Sequence, residues 1–233
     1  MLPAVAPGMA SLMDWEAIRL SLRLAGGSVM LLAPLGILLA WPLAYGGFRG
    51  RILLEAVTSI PLVLPPTVLG FYLIVALGPH SPVGAFWESL TGTRLVFSFQ
   101  GLLLAQVVTN LPFFLQPLVA SLGGVDRKLL EVARTLGSGP TGAYFRVALP
   151  LAWRGLLSGL ILSFAHAIGE FGVVLMVGGN LPGKTRTASI ALFDQVQSFD
   201  MAGANRTALL LLGFALLVLS GTAWLRGRER PWA

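Results

Sequence analysis

The sequence predicts an all-α membrane protein of about five transmembrane helices. Its residues are 55% hydrophobic and only 11% charged, whereas about 25% of an ordinary soluble domain is charged. Apolar runs of about 20 residues, the length that crosses a bilayer, lie near 24–46, 56–77, 97–121, 151–178 and 207–225. The basic residues sit beside those runs, so the net charge of +6 reads as orientation in the bilayer, and no nucleic-acid partner is expected. There is no cysteine, which excludes a disulfide framework, a thiolate metal site and a cysteine nucleophile.

Five spans put the termini on opposite sides. Arg49, Arg51, Arg127, Lys128, Arg134, Arg146, Arg154, Arg226, Arg228 and Arg230 share one face, ten basic residues against Arg94, Lys184, Arg186 and Arg206 in the opposite loops. The positive-inside rule then places the C-terminus in the cytoplasm and the N-terminus outside.

Taken in order, Met1 to Met13 has no basic region ahead of an apolar core and does not read as a signal peptide. Asp14 can N-cap a helix reaching Leu24, which is expected at the outer interface before the first span, with Arg19 and Arg23 snorkelling to headgroups and substrate contact as the alternative. The second span contains Pro61, Pro65 and Pro66, which cannot sit in an unbroken helix because each removes a backbone bond and clashes one turn back. Broken helices in membranes line protein or a water-filled path; a packing kink is the alternative. The loop 78–94 is expected to be short and turn-rich. The third span carries Gln106, Thr109, Asn110 and Pro112, a second polar patch broken by proline. Thr67 and Asn110 are the candidate residues of a translocation path, although helix–helix hydrogen bonding accounts equally for an intramembrane Asn. The last span is nearly featureless and ends at Arg226, Arg228 and Arg230.

Between the third and fourth spans lies a polar island. Asp126 can N-cap a short helix that ends at Leu136, with Gly137 supplying the left-handed residue. A second helix starts at Pro140, where a missing N–H costs nothing, and Leu149-Pro150 is expected to close it because a residue preceding proline is pushed out of the α region. The pattern Glu131-x-Ala133-x-x-x-Gly137, followed after nine residues by Val147-Ala148-Leu149-Pro150, resembles the "EAA" loop of the permease subunits of binding-protein-dependent ABC importers. That resemblance implies the type I ABC importer permease fold over residues 17–224, with an N-terminal segment 1–16, a coupling loop 122–150 and a basic tail 225–233. It assigns ATPase coupling to Glu131, Ala133, Arg134, Gly137, Tyr144, Leu149 and Pro150. The expected partners are a second copy of the chain, two cytoplasmic ABC ATPase subunits and an extracytoplasmic binding protein, all at a bacterial inner membrane.

Gly178 to Thr185 matches the P-loop pattern G-x-x-x-x-G-K-[ST] letter for letter. It is a decoy. A membrane helix rather than a buried strand precedes it, Pro182 removes an N–H, and too little chain follows to build a nucleotide-binding sheet. No cofactor, metal or catalytic residue is expected in this chain. His166 and Glu170 are spaced to share a helix face, which leaves open an ion-coupled secondary transporter; an intramembrane hydrolase lacks a nucleophile set. The stretches Gly169-Glu170-Phe171-Gly172 and Asn180 to Thr187 resemble oxyanion permeases of the molybdate and sulfate branches, and Pro61 to Tyr72 resembles the molybdate branch most. The resemblance implies a molybdate or tungstate importer and a molybdate-binding protein as partner, with sulfate or thiosulfate as the alternative. An ionised carboxylate 4 Å from a dianion would be repelled by about 4 kcal/mol per pair of unit charges at intermediate dielectric. Glu170 is therefore read as structural, while exposed Lys184 and Arg186 are better placed to attract an anion or a binding protein, although solvation of a polar loop is the more common role of such residues.

Overall fold

The computed structural model describes residues 13–227. Most of the N-terminal segment and most of the basic tail, including Arg228 and Arg230, lie outside the described residues. The chain is helical: α1 (Trp15–Tyr45), α2 (Arg51–Val63), α3 (Pro66–Leu77), α4 (Pro82–Thr91), α5 (Phe99–Gly123), α6 (Arg127–Thr135), α7 (Pro140–Ala143), a π turn (Tyr144–Ala148), α8 (Leu149–Leu151), α9 (Trp153–Gly169), α10 (Gly172–Gly178), α11 (Ala188–Gln197) and α12 (Met201–Gly227). Among the described residues three helices are long and apolar enough to cross a membrane, Trp15–Tyr45, Phe99–Gly123 and Met201–Ala223. The number rises to five when the broken pairs α2 with α3 and Pro140–Leu151 with α9 each count as one span.

Several boundaries differ from expectation, each for a local reason. No turn separates the interfacial segment from the first span: Asp14 Oδ1 accepts the Ala17 N–H at 3.0 Å, and α1 then runs unbroken through Leu24. The proline-rich second span does break, at Leu64, whose extended backbone (φ −70°, ψ 137°) is what a following proline imposes. Pro112, by contrast, does not break α5, which carries both Pro112 and Pro117 in its interior. The expected loop 78–94 contains α4. Ser81 caps it by accepting the Gly84 N–H, Pro82 opens it, and Gly92 ends it at φ 68°. The fourth span is cut at Glu170-Phe171, and α11 fills what reads in the sequence as loop.

The chain divides into two compact units. One comprises the described residues up to Leu24, residues 67–105 and 168–217. Its core is Leu24, Leu69, Leu77, Leu95, Leu102, Val173, Val174, Val177 and Ile190. Glycine lets these helices approach: a Cβ on Gly178 would meet Leu102 Cδ2 at 2.7 Å, and one on Gly70 would meet Met176 Cβ at 2.7 Å. The other unit comprises 25–66, 106–167 and the described residues from Val218. Leu32, Leu43, Phe114, Leu115, Leu118, Leu122, Tyr144 and Ala148 form its core. There Gly159 lies against the Phe114 carbonyl, 2.7 Å from a would-be Cβ, so α9 packs directly on the α5 backbone.

Candidate functional site

The polar island folds as a two-part knuckle whose geometry explains the spacing of its motif. Asp126 Oδ1 accepts the Lys128 N–H at 3.0 Å and starts α6. At the other end the Gly137 N–H donates to the Arg134 carbonyl and the Ser138 N–H to the Ala133 carbonyl, both at 3.0 Å. This is a Schellman cap, and it requires a left-handed residue four places after Ala133. Gly137 meets that requirement at φ 92°. Gly139 then precedes Pro140, which opens α7.

Leu149-Pro150 does not close the second helix. Leu149 keeps α geometry (φ −63°, ψ −44°), and its N–H donates to the Tyr144 carbonyl five residues back. The wide π turn gives the Pro150 ring room that a regular turn would deny it. The bend falls instead at Ala152 (φ −88°, ψ 16°), where Pro140–Leu151 and α9 meet at 74°.

Tyr144 anchors the knuckle. It is 2% exposed, its hydroxyl donates to the Ile37 carbonyl at 2.7 Å, and its ring stacks on Trp41 with centroids 5.8 Å apart. Nearby, the Tyr45 hydroxyl donates to the Leu122 carbonyl at 2.8 Å, pinning the end of α1 to the end of α5. A cavity of about 310 Å³ remains between α1 and the knuckle, with Trp41, Tyr45, Arg127, Glu131, Arg134 and Tyr144 among its walls. On the outside, Leu129, Val132, Leu136 and Phe145 are exposed among charged neighbours, and Glu131 and Arg134 are exposed with them. Ala133 and Leu149 are half-buried, and Pro150 is exposed. An apolar patch on so polar a segment marks an interaction surface.

The intramembrane polar residues go to two places. Asn110, fully buried, donates from Nδ2 to the Gln106 carbonyl at 2.7 Å and to Gln106 Oε1 at 2.6 Å. Gln106 Nε2 in turn donates to the Ala167 carbonyl at 3.3 Å. With the amide so oriented, Asn110 Oδ1 faces His166 Nδ1 at 3.0 Å, and Nδ1 is the donor. Phe113 stacks on that imidazole at 3.8 Å. Thr67, the other candidate path residue, is exposed on the first turn of α3.

His166 lies in the last turn of α9, which stops at Gly169, one residue before Glu170. Glu170 sits in the break. Its Oε1 accepts the Val173 N–H at 3.0 Å, capping α10, while its carbonyl accepts the Ser189 hydroxyl at 2.7 Å. Arg186 also departs from expectation. It is only partly exposed and lies between two carboxylates, with Nε 3.3 Å from Asp14 Oδ2 and Nη2 3.4 Å from Asp194 Oδ2. Lys184 is exposed.

The P-loop look-alike is folded inward. The N–H groups of Lys184, Thr185 and Arg186 all donate to the Leu181 carbonyl, and the buried Thr185 hydroxyl accepts the Leu181 N–H at 3.1 Å. A phosphate cradle needs those N–H groups free and converging. Among the described residues no three His, Asp or Glu side chains gather as a metal site would require.

Sequence reasoning missed the Tyr45 pin and the Arg186 clamp; only the Asp14, Asp194 and Arg186 charges hinted at the latter.

Comparison with known proteins gives this geometry a family. The chain is 47% identical over 206 residues to the molybdenum transport system permease protein ModB of Azotobacter vinelandii, covering 88% of this chain and 91% of the relative. The corresponding Escherichia coli K12 protein is 36% identical over 220 residues, covering 93% and 96%. A probable sulfate transport system permease protein, cysT of Nephroselmis olivacea, is 30% identical over 197 residues, covering 84% and 69%. Among solved structures, a bacterial ABC transporter involved in alginate import has a TM-score of 0.70 at 16% identity, covering 93% of this chain and 80% of that one. The MetNI methionine ABC transporter, inward-facing, has a TM-score of 0.66 at 18% identity, covering 97% and 100%. The fold is that of type I ABC importer permeases. Residues 33–228 match the family as a whole, and the chain belongs to the binding-protein-dependent transport system inner membrane components.

Proposed function

We infer that this chain is the permease subunit of an ATP-driven importer for molybdate or tungstate. The observation that carries the substrate is the gradient of similarity: 47% identity to a molybdenum permease across 88% of the chain, against 30% to a sulfate permease. The partners follow from the family. A separate ATPase hydrolyses ATP, an extracytoplasmic binding protein delivers the anion, and this chain performs no covalent chemistry.

The knuckle is the coupling element. Its exposed Leu129, Val132, Leu136 and Phe145 suit an apolar cleft of the ATPase, with Glu131 and Arg134 beside them. The Schellman cap at Gly137 and the Tyr144 anchor make it stiff enough to transmit a push rather than bend. Two copies of the chain form the path about a two-fold axis. Closure of the ATPase pair draws the two knuckles together and rocks the bundles from inward-open to outward-open. Thr67 is a candidate path residue. Asn110 acts by holding Gln106 and His166 in place, and Glu170 acts as the cap of α10 rather than as a ligand.

The test is uptake of labelled molybdate by cells lacking their own molybdate permease, supplied with this chain, its ATPase and its binding protein. Uptake that survives excess sulfate is expected. Uptake abolished by sulfate would move the chain to the sulfate branch.

A further inference from the structure

The unit containing residues 67–105 and 168–217 holds a cavity of about 420 Å³ with Arg23, Phe97, Phe99, Gln100 and Lys184 among its lining residues. Two cations line this space, and among the described residues no carboxylate lines it. Like charges facing one cavity repel unless an anion lies between them. Neither Arg23 nor Lys184 is in an ion pair among the described residues, whereas neighbouring Arg186 lies between Asp14 and Asp194. Glu16 reaches Gly183, where its Oε1 lies 3.0 Å from a would-be Cβ, and it forms no ion pair with either cation among the described residues. Residues 1–12 contain no acidic side chain that could neutralise them.

The walls are firm. Phe97 holds a left-handed backbone at φ 60°, fixed by its N–H donating to the Val177 carbonyl at 2.9 Å. A bulky residue keeps that conformation only where its surroundings impose it. Ser98 spends its hydroxyl on the Leu95 carbonyl and the Gly101 N–H. The donors left for a ligand are therefore the Arg23 fork, the Lys184 ammonium and the Gln100 amide, a set suited to an oxyanion.

We propose that this cavity is a binding site for a free tetrahedral dianion, with Arg23 and Lys184 as its charged ligands, through which the anion passes between the binding protein and the membrane path. The site rests on the importer reading above and on the orientation that puts Lys184 outside. It replaces Arg186 with Arg23 as the partner of Lys184. A lipid headgroup phosphate has similar chemistry and is the competing occupant.

The experiment titrates the permease–ATPase complex, without binding protein, with molybdate and with tungstate by calorimetry, in phosphatidylcholine and in phosphatidylglycerol nanodiscs. Wild type is expected to bind both anions, more weakly as salt rises. Arg23→Gln and Lys184→Gln should each weaken binding about tenfold, and the double variant by more than about a hundredfold. Arg19→Gln, an equal change of charge one turn away on α1, should leave it unchanged. Absence of binding in wild type, equal binding by the variants, or retention of phosphatidylglycerol that depends on Arg23 and Lys184 with no molybdate bound would each overturn the proposal. If the titration fails while ATP-dependent molybdate uptake by wild type persists, the site falls and the importer reading stands.

Discussion

Tyr144 is the residue on which the knuckle turns. Its hydroxyl is bonded to a backbone carbonyl of α1 and its ring is buried against Trp41, so two substitutions separate the contributions. Tyr144→Phe should cost about 1 kcal/mol, the net value of one hydrogen bond, and Tyr144→Ala about 3–5 kcal/mol through the cavity it leaves. Thermal unfolding in detergent measures both. If coupling runs through this anchor, Tyr144→Phe should also lower transport per ATP hydrolysed more than it lowers hydrolysis. Glu170 offers a second contrast. Glu170→Gln keeps an oxygen for the Val173 N–H and should fold normally with unchanged anion selectivity, while Glu170→Ala loses a cap worth about 1 kcal/mol. A Glu170→Gln protein that folds normally but admits a wider range of anions would show that the carboxylate faces the path.

At the scale of elements, the knuckle was legible because its chemistry is local: Asp126 caps, Gly137 terminates, Pro140 restarts. Each of these acts through the backbone within one turn, so the sequence suffices to read it. What escaped was set by distant partners or by compensating turns. Leu149-Pro150 reads as a stop, yet the π turn shifts the hydrogen-bond pattern and carries the helix to Leu151. Glu170 reads as one helix face with His166, yet it ends a helix because its carboxylate caps the next and its carbonyl is held by Ser189. The Asn110 network needed two helices to be seen, since His166 lies 56 positions away. Glycine packing is testable at this scale. A Cβ on Gly155 would meet the Pro117 carbonyl at 2.5 Å, so Gly155→Val should push α9 off α5 and cost about 1–3 kcal/mol, read as a lower midpoint in thermal unfolding.

For the whole molecule, composition and apolar run length sufficed for the class, and the three unbroken membrane-length helices among the described residues bear the same signal. Orientation rests on arginine and lysine placement, and the absence of native cysteine makes it directly measurable. Single cysteines at Ser138 in the knuckle and Ser89 in α4 can be probed with a membrane-impermeant maleimide on intact spheroplasts. Ser89→Cys should label from outside and Ser138→Cys only after lysis; the reverse pattern would invert the topology and remove the knuckle from the side where ATP is.

The most direct test of the central claim reconstitutes the chain in liposomes with its ATPase facing out and its binding protein and molybdate sealed inside, then follows molybdate export to the medium together with ATP hydrolysis. Transport should require ATP, and Gly137→Val, which strains the cap at φ 92°, should cut transport by about tenfold or more if it weakens docking by about 1.4 kcal/mol or more. Molybdate movement that follows an imposed ion gradient without the ATPase would contradict the account.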